Sequence, residues 1–167
     1  MKATPAVMLV LVVCAGFAGA QTVTLESNLE GDANAALFHQ QDGAFIFAQF
    51  CESDWWQAYA GATYSPIPNT QVALGIGAEA NGIRYGGWLW AGRGRISAIH
   101  LFEDGASGSW HKTIVQAQAC DRLSLGVTDR AFYGRGIHSE YKLGDDSKIT
   151  IEVFEGGDAT FSLSQSF

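Results

Sequence analysis

The stretch WWQAYAGATY, residues 55–64, decides the fold because its two alternating faces differ in polarity. One face carries only apolar residues, with aromatic rings at both ends: Trp56, Ala58, Ala60, Ala62 and Tyr64. The other face is mostly polar or very small: Gln57, Tyr59, Gly61 and Thr63. Side chains of a β-strand point alternately to its two faces. The stretch therefore predicts a strand with one face for an apolar medium and one face that tolerates water.

The same alternation returns along the chain, and turn residues interrupt it at short intervals. Val72, Leu74 and Ile76 share one face of the next segment. The pairs Asp42-Gly43 and Asn81-Gly82 are signals for two-residue hairpins, because both pairs tolerate positive φ. The predicted strands are 22–30, 34–41, 44–52, 55–65, 70–80, 83–92, 95–103, 110–119, 122–128, 131–142, 148–155 and 159–167, of which 34–41 also fits a short helix.

Twelve short strands joined by short turns predict an all-β protein. Because successive strands follow one another through tight turns, the expected topology is an antiparallel up-and-down meander. A meander of this length closes into a barrel or leaves two edges unpaired. We therefore expect a closed barrel of about 12 strands, within a range of 10–12.

The N-terminal segment has the layout of a secretory signal. Lys2 supplies a positive start, residues 6–18 are apolar, and Ala18-Gly19-Ala20 provides small residues before Gln21. The apolar run is too short for a stable membrane helix, although a buried N-terminal helix is an alternative. We predict a signal peptide over 1–20 and a single β-barrel domain over 21–167.

Composition restricts the function. The 167 residues carry a formal net charge of −7, and only 16% of them are charged. An acidic chain argues against nucleic acid as a partner. The polar strand faces are rich in Ser, Thr, Gly and Gln, which suits a water-filled lumen better than a soluble exterior that needs charges.

These faces predict an inside-out barrel with a narrow polar lumen. The residues expected to line the lumen are Gln57, Tyr59, Thr63, Glu79, Arg84, Lys148 and Glu152. The residues expected to face lipid are Trp56, Tyr64, Val72, Leu74, Ile76, Phe161, Leu163 and Phe167. Trp56 and Tyr64 lie eight steps apart, about 20 Å of height for a strand tilted by ~40°, which places them near the two edges of an apolar band.

The last predicted strand carries a resemblance. Its alternating residues Phe161, Leu163 and Phe167 resemble the C-terminal strand of small bacterial outer-membrane β-barrel proteins, with a departure at Gln165. The resemblance implies membrane lipid as surroundings, recognition of this strand by the barrel-assembly machinery, and the outer membrane of a diderm bacterium as location. We expect no cofactor, and no bound metal, because the sequence has no Cys/His spacing typical of a metal site.

One sequence motif raises the possibility of catalysis. His138, Ser139 and Glu140 are the residue types that some lipid-deacylating outer-membrane barrels use near the membrane surface. However, His138 and Ser139 are adjacent on a predicted strand and so point to opposite faces. We expect His138 and Glu140 to line the lumen and expect no enzyme activity.

The two cysteines after residue 20 test the topology. Cys51 ends the third predicted strand and Cys120 follows the eighth. In a meander these positions lie on opposite rims, too far apart for a disulfide. We therefore predict two free thiols.

Three functions remain open from the sequence. The favoured one is a porin-like channel for passive transport, or an envelope-structural barrel, whose longest outer turn is expected over residues 104–109. The alternative is a secreted or periplasmic soluble barrel that binds an apolar ligand. The third is a lipid-modifying barrel enzyme that uses His138.

Overall fold

The computed structural model describes residues 21–167, which form one closed antiparallel β-barrel. The predicted signal segment lies outside the described residues. The strands are β1 (Gln21–Asn28), β2 (Ala33–Gln41), β3 (Ala44–Cys51), β4 (Trp56–Tyr64), β5 (Thr70–Glu79), β6 (Gly82–Arg93), β7 (Ile96–Gly105), β8 (Trp110–Gln118), β9 (Leu123–Arg130), β10 (Gly134–Lys142), β11 (Ser147–Phe154) and β12 (Ala159–Ser166).

Each strand pairs with its neighbours in the chain, and β1 pairs with β12 to close the barrel. The closing register places Leu25 opposite Leu163 and Glu26 opposite Ser162. Closure pairs the two edges that an open meander would leave exposed. The predicted fold class, an up-and-down barrel of about 12 strands, is confirmed.

The turns divide between two rims. The proximal rim holds the start of β1 and the turns at 42–43, 65–69, 94–95, 119–122 and 143–146. The distal rim holds the turns at 29–32, 52–55, 80–81, 106–109, 131–133 and 155–158. Asp42 and Gly43 form the predicted hairpin turn, with φ of 50° and 80°.

Several predicted boundaries were wrong by a few residues. The strand predicted over 34–41 is confirmed as β2, which begins one residue earlier, and the alternative of a short helix is wrong. The hairpin predicted at Asn81-Gly82 turns at 80–81 instead, because Gly82 already pairs with Glu79. The turn predicted over 104–109 is shorter, since β7 continues to Gly105, and the longest connection is 65–69 on the proximal rim.

The ninth and tenth strands also differ from the prediction. β9 continues to Arg130, two residues beyond the predicted end, and β10 begins only at Gly134. Tyr133 N–H donates to the Arg130 carbonyl across the short turn at 131–133, in which Phe132 has a φ of 73°. Alternating polarity could not locate the turn between β9 and β10. Charged residues usually indicate a turn, but Arg130 and Arg135 both lie inside strands here.

The cysteine prediction is confirmed. Cys51 ends β3 at the distal rim and is half-buried, whereas Cys120 lies in an exposed turn at the proximal rim. Both thiols are free.

Candidate functional site

The inward faces of the strands form the lumen. In β4, Gln57 is 1% and Tyr59 8% exposed, whereas Trp56 and Tyr64 on the other face are 39% and 68% exposed. The structure therefore gives β4 a buried inner face and an exposed outer face. The residues predicted to line the lumen all lie on inner faces, buried at Gln57, Tyr59, Glu79, Arg84 and Glu152 and half-buried at Thr63 and Lys148.

The residues predicted to face lipid lie on the outside. Trp56, Tyr64, Leu74, Ile76, Phe161 and Leu163 are exposed on outer strand faces. Val72 is on the outer face but half-buried, and Phe167 follows the end of β12 in an exposed position. Gln165 shares the outer face of β12 and bonds with Ser147 of β11.

Two clusters of charged residues project into the lumen toward the distal rim. The Arg84 cluster consists of Glu79, Arg84 and Glu103 with the neutral Gln57 and Tyr59. Arg84 Nη1 lies 2.8 Å from Glu79 Oε2, and its Nη2 lies 2.8 Å from Glu103 Oε2. Tyr59 Oη donates to Glu103 Oε1 at 2.9 Å. The guanidinium and both carboxylates are buried, so their mutual pairing offsets the loss of water.

Two distal turns are bound to this cluster. The Ser107 N–H donates to Glu79 Oε1 at 2.7 Å, and Arg84 Nη1 donates to Ser107 Oγ at 2.9 Å. The Trp55 ring lies 5.6 Å from Arg84 Cζ, within cation–π range. Arg84 thereby holds the turns at 52–55 and 106–109 against the mouth of the lumen.

The Arg130 cluster occupies the other side of the lumen and consists of Glu26, Lys112, Arg130, His138 and Glu152. Arg130 Nη2 lies 2.6 Å from Glu26 Oε1, and Lys112 Nζ lies 2.8 Å from Glu152 Oε2. His138 Nδ1 lies 3.0 Å from Glu152 Oε1. The cluster joins strands β1, β8, β9, β10 and β11, so barrel closure assembles it.

The cations of these two clusters are all paired with carboxylates, of which there is one more than there are cations. Together the clusters contain three cations, Arg84, Lys112 and Arg130, and four carboxylates, Glu26, Glu79, Glu103 and Glu152. Each cation lies within 3 Å of a carboxylate. Nearer the proximal rim, Lys148 Nζ pairs with Glu140 Oε2 at 2.8 Å. The lumen is thus polar at its distal end without an excess of positive charge.

The remainder of the lumen differs from the predicted polar lining. An aromatic wall covers the inner faces of β2 to β7 and consists of Phe38, Phe45, Phe47, Tyr59, Trp88 and Trp90 with Ile99 and Leu101. Phe45 is its centre: its ring lies 4.6 Å from that of Trp88 and 6.0 Å from that of Tyr59. The polar lining was predicted from β4, β5 and β12, where the faces separate cleanly, and that pattern gave no indication of the aromatic wall beside it.

Glycines make room for the aromatic wall. A Cβ at Gly75 would lie 2.8 Å from Phe45 Cζ, and one at Gly61 would lie 2.6 Å from Phe45 Cε1. Phe45 therefore packs against the two positions where these strands carry no side chain. Gly61 belongs to the polar or very small face that the sequence predicts for residues 55–64, but nothing in the sequence indicated which ring would cover the two glycines.

A cavity of about 810 Å³ lies between the aromatic wall and the charged clusters. Trp55, Trp110 and residues 107–109 surround it at the distal rim, and Gln71 and Trp90 lie at its other end. Its apolar lining includes Phe38, Phe47, Trp88, Trp90, Ile99 and Leu101. Its polar lining includes Glu26, Gln49, Gln57, Glu103, Lys112 and Arg130.

The residues considered for catalysis do not converge. His138 is buried inside the barrel against Glu152, whereas Ser139 lies on the outer face of β10. Glu140 is on the inner face but pairs with Lys148. Within residues 21–167 there is no group of three or more His, Cys, Asp or Glu arranged to hold a metal ion. The same residues contain no helix long and apolar enough to cross a membrane.

No protein-family model matches the sequence, and no curated protein matches it significantly. Among solved structures, the chain superposes on the KdgM porin with a TM-score of 0.62 and 10% identity, over 89% of this chain and 98% of that one. The fold is that of bacterial outer-membrane porins. The NanC porin gives a TM-score of 0.55 and 12% identity, over 89% of this chain and 99% of that one.

Omp33 of Acinetobacter baumannii, an outer membrane protein, gives a TM-score of 0.50 and 12% identity, over 89% of this chain and 97% of that one. The resemblance to small outer-membrane β-barrels predicted from the sequence is confirmed for the fold. At such low identity the likeness concerns the fold alone, so the lumen of this chain has to be interpreted from its own residues.

Proposed function

We propose that the protein is a passive diffusion channel of the outer membrane of a diderm bacterium, with its outer face in lipid and its lumen as the solute path. The observation that carries the proposal is the inside-out distribution of residues. Large apolar side chains such as Leu74 and Ile76 are 61% and 66% exposed on the outside, whereas Arg84 and Glu152 are 3% and 1% exposed inside. A soluble barrel has the opposite distribution.

The outer surface fits lipid in its details. Trp56 lies at the distal end of β4 and Tyr64 at its proximal end, with Ala58, Ala60 and Ala62 between them on the same face. Tyr85 on β6 bonds with Asp104 on β7 near the distal rim. Aromatic rings at both ends of an apolar band are typical of membrane barrels. We further propose that the barrel-assembly machinery recognises the outer residues of β12, Phe161 and Leu163, together with Phe167.

The partly filled lumen favours passage of selected small solutes over unselective passage through a wide pore. A barrel of this strand number lies between small barrels filled by side chains and open porins. The aromatic wall and the two clusters of charged residues occupy much of the interior and leave the cavity of about 810 Å³. One KdgM porin was solved in complex with disordered oligogalacturonate, an anionic oligosaccharide. The compensated charges here favour uncharged small solutes instead.

The first experiment compares boiled with unboiled protein from the membrane fraction on SDS gels, followed by conductance of the purified barrel in planar bilayers. A heat-dependent shift with discrete current steps supports the channel. A heat-dependent shift in gel mobility without any current contradicts the channel and supports an envelope-structural barrel. Protein that stays in detergent-free solution and shows no shift contradicts the membrane proposal and favours a soluble barrel with an apolar ligand in its cavity.

A further inference from the structure

We propose that the lumen contains a binding site for an uncharged, hydroxyl-bearing solute with one flat apolar face, seated between the aromatic wall and the Arg130 cluster. This inference rests on the proposed channel function and names the class of solute that the channel favours. Phe47 on β3 and Arg130 on β9 both line the cavity, and in the closed strand order β3 lies across the barrel from β9. The two sides of the site are therefore chemically different walls of one cavity.

The apolar side of the site is a surface of rings. Phe47, Trp88 and Trp90 line the cavity, supported from behind by the fully buried Phe45. Trp88 is held in place by its Nε1–H, which donates to Gln71 Oε1 at 2.9 Å. A flat C–H face or an aromatic ring gains by displacing water from such a wall. A solute that is polar all round gains less there.

The polar side offers both donors and acceptors. Glu26 of the Arg130 cluster presents carboxylate oxygens, which accept hydrogen bonds, and Lys112 and Arg130 of the same cluster present donors. Glu103 of the Arg84 cluster adds a further acceptor to the cavity lining. A hydroxyl group both donates and accepts, so it satisfies either kind of partner. A solute with several hydroxyls along one edge therefore fits this side in any order of the protein's donors and acceptors.

Two lining side chains retain buried atoms without a partner. Gln57 Nε2 donates to Gln49 Oε1 at 2.8 Å and to Glu103, which fixes the orientation of the amide. Its Oε1 then has no donor among the described residues, and Arg130 Nε has no acceptor among them. Unpaired buried polar atoms cost free energy. A solute hydroxyl that reached either atom would supply the missing partner.

Charge excludes anions from the proposed class. Arg84 is paired with Glu79 and Glu103, Arg130 with Glu26, and Lys112 with Glu152. A carboxylate solute would have to displace one of these internal partners and leave it buried without its cation. An uncharged solute requires no such exchange. The cavity volume also lies within the usual range of small-molecule sites, roughly 300–1,000 Å³.

The test measures block of single-channel current in planar bilayers by three probes at equal concentration: maltotriose, trigalacturonate and sorbitol. Maltotriose has hydroxyls and flat ring faces, trigalacturonate adds negative charge, and sorbitol has hydroxyls without a ring. We expect block by maltotriose alone. Equal or stronger block by trigalacturonate overturns the charge argument, and equal block by sorbitol overturns the role of the aromatic wall.

A variant pair locates the site. Trp90→Ala removes a half-buried ring from the cavity lining and should raise the half-blocking concentration of maltotriose about tenfold. Tyr64→Ala removes an aromatic ring from the outer face of β4 and should leave the half-blocking concentration of maltotriose unchanged. If Trp90→Ala does not yield the heat-modifiable barrel, Leu101→Ser tests the same wall from β7. An unchanged blocking concentration in a folded wall variant contradicts the proposed site.

Failure of the channel is distinguishable from failure of the site. A barrel without any conductance contradicts the proposed function. In that case quenching or enhancement of tryptophan fluorescence by maltotriose, in the detergent-solubilised barrel, tests the site by itself. If the barrel conducts but maltotriose does not block it at any concentration, the proposed channel function is supported and the proposed binding site is contradicted.

Discussion

Arg84 on β6 reaches Glu103 on β7 inside the barrel, with Nη2 2.8 Å from Oε2 of the carboxylate. The same guanidinium is bound to Glu79 at 2.8 Å and lies beneath the Trp55 ring. A single cation therefore pairs with two buried carboxylates and anchors two turns of the distal rim. The stability of the barrel and the shape of its mouth both depend on this contact.

Replacement of Arg84 should destabilise the barrel strongly. In Arg84→Met the carboxylates of Glu79 and Glu103 stay buried without their cation, so we expect the free energy of unfolding to fall by about 3–5 kcal/mol. Urea titration in lipid vesicles measures it. Arg95→Met, in an exposed proximal turn, is the control and should change stability by less than about 0.5 kcal/mol.

A substitution of Glu103 shows whether Arg84 stabilises the barrel through its charge or through its packing. Glu103→Gln should partly restore stability to Arg84→Met, since it removes one of the two orphaned charges. A double-mutant cycle in which the two substitutions are simply additive would show that Arg84 and Glu103 are not energetically coupled.

A charge on the outer face should be far more costly than a charge in the lumen. Leu74 lies midway along β5 on the outer face, so Leu74→Arg should cost about 2–4 kcal/mol in a bilayer. Gln40 lines the cavity on the inner face of β2, and Gln40→Arg should cost less than about 1 kcal/mol. Equal costs for the two variants would contradict the assignment of the outer face to lipid.

A side chain at Gly75 should displace Phe45. The Cβ of Gly75→Ala would lie 2.8 Å from Phe45 Cζ and 3.1 Å from Tyr59 Cδ2, so we expect a loss of about 1–3 kcal/mol from overpacking. The loss should shrink in a Phe45→Leu background, where the ring is absent. Gly144→Ala is the matched control, because its Cβ would meet no atom within 4 Å. Thermal unfolding compares the wild-type protein, Gly75→Ala, Phe45→Leu, their combination and the control Gly144→Ala.

Chemical modification should distinguish the two cysteines. Cys51 is on the inner face at the distal end of β3, whereas Cys120 lies in an exposed turn at the proximal rim. We expect a small charged thiol reagent to react faster with Cys120 but to change single-channel conductance only through Cys51. Cys51→Ser should abolish the change in conductance, and a change that persists in this variant would place the effect elsewhere.

Much of this fold follows from local pattern. The alternation in β4, β5 and β12 gave the strands, the meander and the two faces, because side-chain direction in a strand is fixed by a period of two. It also gave an inner face to Gln57, Tyr59 and Glu79. His138 and Ser139 lie on opposite faces for the same local reason.

The aromatic wall could not be predicted from the alternation of polar and apolar residues. In β3 the segment from Phe45 to Phe47 is apolar on both faces, so alternation cannot tell which side is inside. Pairing decides it: Phe47 lies opposite Phe38, and Phe45 lies opposite Gln40. In β6 the shared face of Arg84, Trp88 and Trp90 was the one available signal that rings and charges occupy the same lumen.

The sequence by itself determined a meander of about 12 strands with an apolar exterior, because strand faces depend on residues two positions apart and turn residues mark the ends of the strands. Only the tertiary structure decided which side chains meet. Arg130 and Glu26 are separated by 104 residues and come together at 2.6 Å because β1 closes onto β12 while β9 projects its inner face across the lumen. Contacts between inner faces depend on the stagger of every intervening strand pair, and that stagger has no local signature in the chain.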